Sequence, residues 1–184
     1  FAAGNSGYYG EGTISAPANY PESFAVGATD VENDLAYFSS RGPGPYEEIK
    51  PNVSAPGANI RSAVPTGDYE DGWSGTSMAT PHISGVIALV KQANASLSID
   101  QIENLLMDTA IPLTNAEYPN TPNYGFGHGF VNAYNAIKSF HTGSGFIKGV
   151  VHGERIDQTA PTFEHTSPQF IYEKETTHLT VTVQ

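Results

Sequence analysis

The stretch from Ser77 to Ala93 constrains the fold more than any other part of the chain. It is a long apolar run broken only by small residues, with Met78, Ile83, Val86, Ile87, Leu89 and Val90 spread around the helical circumference. A helix that is apolar on nearly every side is a buried one, so other elements are expected to surround it. At 184 residues the chain can build that enclosure as one domain, or as one domain and the start of another.

The flanking sequence supplies the pieces. Ser23 to Ala28 reads as a buried strand, as does Leu35 to Ser39, and Asn59 to Val64 is a third strand closed by Pro65. Arg41 to Gly57 holds Gly-Pro-Gly-Pro and Ala-Pro-Gly, which is loop chemistry. Gly67 to Gly72 also reads as loop. Ser98-Ile99-Asp100-Gln101 has the form of a capping box and predicts an amphipathic helix through Ala110, buried along Ile99, Ile102, Leu105 and Leu106. Ile111-Pro112 ends it. Residues 113–129 are loop-like, and Asn132 is placed to cap a short helix from Ala133 to about Phe140. Thr142 to Gly145 reads as a domain edge. The expected division is therefore 1–142, an extension strand and linker over 143–160 (Phe146 to Val151, then Asp157 to Pro161), and a β-patterned start of a further module at 161–184.

Several classes of function are excluded early. Nineteen acidic against eight basic residues, a net charge of −11, argue against nucleic acid as the main partner, because phosphate binding needs Lys/Arg patches. No apolar run approaches the ~18 residues of a membrane-spanning helix. The absence of cysteine removes disulfides, zinc–thiolate sites and thiol nucleophiles. The chain opens inside a motif at Phe1-Ala2-Ala3-Gly4-Asn5 without an initiator Met, and stops on the alternating Leu179 to Gln184. The expectation is a segment of a longer protein, with room for a targeting signal elsewhere.

Two local patterns look like a site. In Gly75-Thr76-Ser77-Met78-Ala79-Thr80-Pro81-His82, a serine stands between small residues where the buried helix begins. Backbone N–H groups and the positive helix end converge there, so an anion forming beside Ser77 is stabilised. Small neighbours let a substrate backbone come close. Pro81 cannot supply the N–H that would bond the Ser77 carbonyl, a broken local rule of the kind expected at functional positions. The second pattern is Ala2-Ala3-Gly4-Asn5-Ser6-Gly7, by itself an ordinary turn after a strand. Paired with the serine string, it offers an amide donor for an oxyanion.

Together these strings resemble the subtilases, the subtilisin-like serine peptidases. Pro17 to Pro21 with Val26-Gly27-Ala28, Phe38 to Gly42, Ser54 to Gly57, and Gly125 to Ala133 look like family segments in family order, and the likeness covers about residues 1–140. The resemblance implies an α/β fold, a three-layer α/β/α with a mainly parallel sheet, of which this is the C-terminal part, followed by the start of a β-rich module. It implies Ser77 as nucleophile, with its own N–H and the Asn5 amide forming the oxyanion hole. Ala2, Ala3 and Gly4, with Ser15, Ala16 and the residues to Ala18, would line part of the specificity pocket, and Trp73 would lie on the leaving-group side. The chemistry would need no cofactor. A structural calcium or sodium ion would sit on the backbone carbonyls of Ala18, Tyr20 and Ser23. The implied partners are protein or peptide substrates, the N-terminal part of the same peptidase and its propeptide, and the implied location is extracellular, after secretion.

The resemblance also exposes a gap. Subtilases run Asp, then His, then Ser along the chain, yet the first histidine here is His82. It lies five residues on, ~140° around the helix from Ser77, and cannot comfortably reach the hydroxyl. The triad Asp and His are expected outside this chain, which alone should be inactive. The remaining histidines, His128, His141, His152, His165 and His178, have no metal-ligand spacing among themselves and read as surface or loop residues. Two rival readings remain. One is an α/β-hydrolase esterase using Ser77, Asp100 or Asp108, and His128; Ala79 replaces the glycine its nucleophile elbow needs. The other is a non-catalytic fragment or pseudopeptidase scaffold that binds through the β tail.

Overall fold

The computed structural model describes residues 1–65, 67–140, 145–151 and 177–183. The chain divides into two compact units, Phe1–Phe140 and His141–Gln184.

The first unit is α/β. Strands β1 (Val26–Thr29) and β2 (Val53–Pro56) pair in parallel, Val26 opposite Val53 and Ala28 opposite Ala55. Extended segments add on either side. Ala2 bridges Val26, with Ala3 N–H donating to Val26 O at 3.0 Å and Val26 N–H to Phe1 O at 2.8 Å. Phe130 bridges Ser54, whose N–H donates to Gly129 O at 2.8 Å. The parallel rows thus run Phe1–Ala3, β1, β2, Gly129–Val131. Both β1 and the first three residues of β2 are buried without alternation, the mark of parallel strands covered on both faces.

Helix α1 (Thr76–Ala93) packs on β1 and β2 through Thr76, Ala79, Ile83, Val86 and Val90. Helix α2 (Ile99–Asp108) adds Ile102 and Leu106 to the same core, and α3 (Ala133–Lys138) adds Ala136. The α2 start follows its local signal: Gln101 N–H donates to Ser98 Oγ at 3.2 Å, and Ser98 N–H to Gln101 Oε1 at 2.8 Å. Asn132 caps α3 by accepting from Asn135 N–H at 2.9 Å. An antiparallel hairpin, β3 (Ile60–Ala63) and β4 (Tyr69–Trp73), precedes α1.

Several expectations are corrected. Helix α1 is buried along one face only; Pro81, His82, Ser84, Gly85 and Leu89 are exposed, because no described element covers that side. Leu35 to Ser39 is a turn, closed by Ser39 N–H on Ala36 O at 2.8 Å, and only Leu35 bridges Thr29. The supposed loop Arg41 to Gly57 contains β2, and the supposed loop Gly67 to Gly72 contains most of β4. The first strand starts at Val26, three residues later than expected. Ile99 faces out, while Ile102 and Leu106 carry the α2 stripe.

In the second unit, β5 (Gly145–Val151) pairs antiparallel with β6 (Thr177–Val183), Gly145 opposite Val183 and Val151 opposite Thr177. The linker at Asp157 to Pro161 and the tail before Thr177 lie outside the described residues. No described helix is long and apolar enough to cross a membrane.

Candidate active site

Parallel strands all present their carboxyl ends on one edge, and ligands of such sheets bind just beyond it. Asn5 follows the Phe1–Ala3 row there, and Gly57 follows β2. Gly75 N–H donates to Gly57 O at 2.8 Å, which pins the start of α1 to the same edge. A Cβ on Gly57 would meet Gly75 O at 2.9 Å and Ala28 Cβ at 2.6 Å, so the close approach needs glycine.

Asn5 is held to the helix start by Thr76. Thr76 N–H donates to Asn5 Oδ1 at 2.9 Å, and Thr76 Oγ1 donates to the same oxygen at 3.1 Å. Thr76 Oγ1 in turn accepts from Gly4 N–H at 3.1 Å. A backbone N–H only donates, so the Asn5 atom facing it is the oxygen and the amide nitrogen points away. Among the described residues that Nδ2 has no acceptor. The N-cap Gly75 has φ 155° and ψ 158°, a region open in practice only to glycine. A Cβ there would stand 3.3 Å from Asn5 Nδ2.

Ser77 is exposed in the first turn of α1. Its N–H, one of the donors every helix leaves unpaired at its start, has no acceptor among the described residues. An exposed hydroxyl, a free backbone N–H and a fixed amide therefore stand around one helix terminus, whose partial positive charge favours an anion. Thr80 Oγ1 donates to Thr76 O at 2.9 Å, one residue before the Ser77 carbonyl that Pro81 leaves without its helical donor. His82 Nδ1 lies 2.9 Å from Met78 O and turns its ring onto its own helix.

The expected substrate-binding residues fall into two groups. Ala3 is buried with Ile14, Ala18 and Ala25 in a small cluster, which holds the row carrying Ala2 and Gly4 beside the loop carrying Ser15 and Ala16. Ser15 and Ala16 are exposed. Trp73 ends β4 opposite Ile60, 43% exposed, on the hairpin side of Ser77.

The expected cation carbonyls do not form a free set. Tyr20 O accepts from Ser23 N–H at 3.0 Å, and Ser23 O accepts from the ammonium of Lys50. Only Ala18 O has no described donor. The described residues also contain no cluster of three His, Cys, Asp or Glu side chains able to hold a metal.

His128 is not near Ser77. Its N–H donates to Asn52 O at 2.9 Å, at the amino end of β2, whereas Gly57 and Gly75 mark the carboxyl end. Five residues of extended chain, roughly 16 Å, separate the two. Met107, next to Asp108, also touches Asn52. The esterase arrangement is therefore absent, and β4 is an exposed hairpin strand, not the buried strand of a nucleophile elbow.

Two positioning residues lack an assigned role in the sequence reading: Thr76 and Ser40. Ser40 is fully buried, its N–H donates to Gly4 O at 2.9 Å and its Oγ accepts from Ser6 N–H at 3.0 Å, which fixes Asn5 from both sides. Thr76 precedes Ser77 and Ser40 lies within Phe38 to Gly42, but neither carries a local mark that sets it apart from the polar residues beside it.

The chain belongs to the subtilase family, whose model matches residues 1–129. It is 53% identical over 187 residues to bacillopeptidase F of Bacillus subtilis (strain 168), across 100% of this chain and 13% of that protein. It is 44% identical over 137 residues to subtilisin Savinase of Lederbergia lenta, across 74% of this chain and 45% of that protein. Among solved structures it resembles the CspB protease of Clostridium perfringens, with a TM-score of 0.62 and 30% identity over 71% of this chain and 28% of that one. The chain thus spans less than half the length of each of these relatives.

Proposed function

We propose that this chain supplies the nucleophile and oxyanion-binding part of a secreted subtilisin-like serine endopeptidase. The observation that carries the reading is the Asn5 amide, fixed by Thr76 beside the exposed Ser77. Ser77 Oγ attacks the scissile carbonyl carbon, and its proton passes to a histidine oriented by an aspartate, both contributed by the rest of the peptidase. Asn5 Nδ2 and Ser77 N–H stabilise the tetrahedral oxyanion. The histidine returns the proton to the leaving amine, and water then hydrolyses the acyl-serine.

Ala2, Ala3, Gly4, Ser15 and Ala16 form part of the specificity pocket, with Trp73 on the leaving-group side. Residues 1–142 belong to a three-layer α/β/α peptidase domain, completed by an N-terminal part that covers the open face of α1. Residues 143–160 lead into a β-rich module beginning near residue 161. Without its base, a triad serine loses most of its rate enhancement, so the isolated chain is inactive.

The test is hydrolysis of an unstructured protein such as casein by the full-length peptidase. Wild type cleaves it, Ser77→Ala does not, and the isolated chain does not. Turnover by Ser77→Ala, or full turnover by the isolated chain, contradicts the proposal.

A further inference from the structure

Lys50 is the only charged side chain fully buried among the described residues, 2% exposed. No carboxylate of the described residues lies within ion-pair distance; the described ion pairs are Arg41–Glu117 and Arg61–Asp71. Its ammonium instead donates to the carbonyl of Ser23 and to Asn52 Oδ1, the latter at 3.2 Å. Asn52 Oδ1 also accepts from Ala25 N–H at 2.7 Å. One cation thus ties the end of the 18–23 loop to the residue preceding β2.

Burying an ammonium among neutral groups is costly unless its protons find oxygens. Backbone carbonyls are also the ligands that sodium and calcium seek, and calcium requires six to eight oxygens. Of the three expected carbonyls two are engaged, Tyr20 O by Ser23 N–H at 3.0 Å and Ser23 O by the Lys50 ammonium, which leaves Ala18 O alone, far short of that number.

We propose that Lys50 is the resident cation of the 18–23 loop, its ammonium holding the Ser23 carbonyl in place of a bound calcium or sodium ion. The loop consequently keeps its fold without either metal. Desolvation pulls the Lys50 pKa down, while the carboxylates of Glu48, Glu103 and Glu22 act to keep the charge. Ala18 shares its cluster with Ala3, so a lysine-held loop also keeps the Ala2–Gly4 row in place when metal is scarce. Lys50 does this whatever the chemistry at Ser77.

Hydrogen exchange of the segment Ala18–Val26, measured by mass spectrometry in the full-length protein, is the test. Wild-type rates are expected to agree within about twofold in chelator, calcium and sodium. Lys50→Met should speed exchange there by about tenfold or more, the equivalent of a lost charge-assisted hydrogen bond. Protection of wild type that depends on calcium or sodium overturns the proposal, as does unchanged exchange in Lys50→Met. If Lys50→Met does not accumulate, the wild-type comparison decides alone.

Discussion

Thr76 N–H and Asn5 Oδ1 stand 2.9 Å apart across a sequence separation of 71 residues. With the Thr76 hydroxyl as second donor, both lone pairs of that oxygen are used, and the amide nitrogen has a single direction left. Thr76→Val keeps the shape and deletes the hydroxyl, freeing Gly4 N–H and loosening Asn5. In the full-length peptidase turnover should fall about tenfold, with KM and the pH profile unchanged, and Thr76→Ser should restore it. Asn5→Ala, which removes the donor itself, should cost about 10²–10³ in turnover. Steady-state kinetics on one peptide substrate check all three.

Gly75→Ala combines two penalties. The backbone at φ 155° disfavours any side chain, and the new methyl would sit 3.3 Å from Asn5 Nδ2. A loss of about 1–3 kcal/mol in stability is expected, with a fall in turnover as Asn5 shifts. Denaturant unfolding and kinetics on the same preparation separate the two.

The Tyr118 hydroxyl is buried without a hydrogen-bond partner among the described residues. Desolvation, with help from Glu117, pushes its pKa from 10.0 up to about 12. A folded pKa above the unfolded one gives a contribution present below pH 10 and lost as pH rises toward about 12. Tyr118→Phe should therefore lose less stability than wild type across that window. At neutral pH it should stay within about 1 kcal/mol of wild type. Urea midpoints for both proteins across that pH range check the sign.

Ser98→Ala deletes the side-chain arm of the α2 capping box and leaves the Ser98 N–H free to donate to Gln101 Oε1. It should cost about 1 kcal/mol and leave turnover intact, because α2 stabilises the core without touching the site. A thermal melt paired with an activity assay checks it.

How much was legible depends on whether a feature is local. The α2 cap is written within four consecutive residues, and Ser98 and Gln101 bond as that pattern predicts. The start of α1 is legible for the same reason, from small residues followed by an apolar run. Leu35 to Ser39 has strand composition, yet Ser39 Oγ accepts from Ala28 N–H at 3.0 Å, and that long-range bond turns the chain. Strand β2 hides between Pro51 and Pro56, and β4 hides in Asp, Glu and Gly, because an exposed hairpin needs little apolar surface. The Asn5–Thr76 contact has no local signature. The two strings read together point to Asn5 beside Ser77, not to Thr76 as the residue that holds it.

Covalent labelling of the full-length peptidase by a fluorophosphonate, with the modified peptide sequenced by mass spectrometry, tests the central claim most directly. The account predicts one equivalent of label, carried on Ser77, with none on Ser77→Ala. Label on another residue, or undiminished hydrolysis by Ser77→Ala, would contradict it.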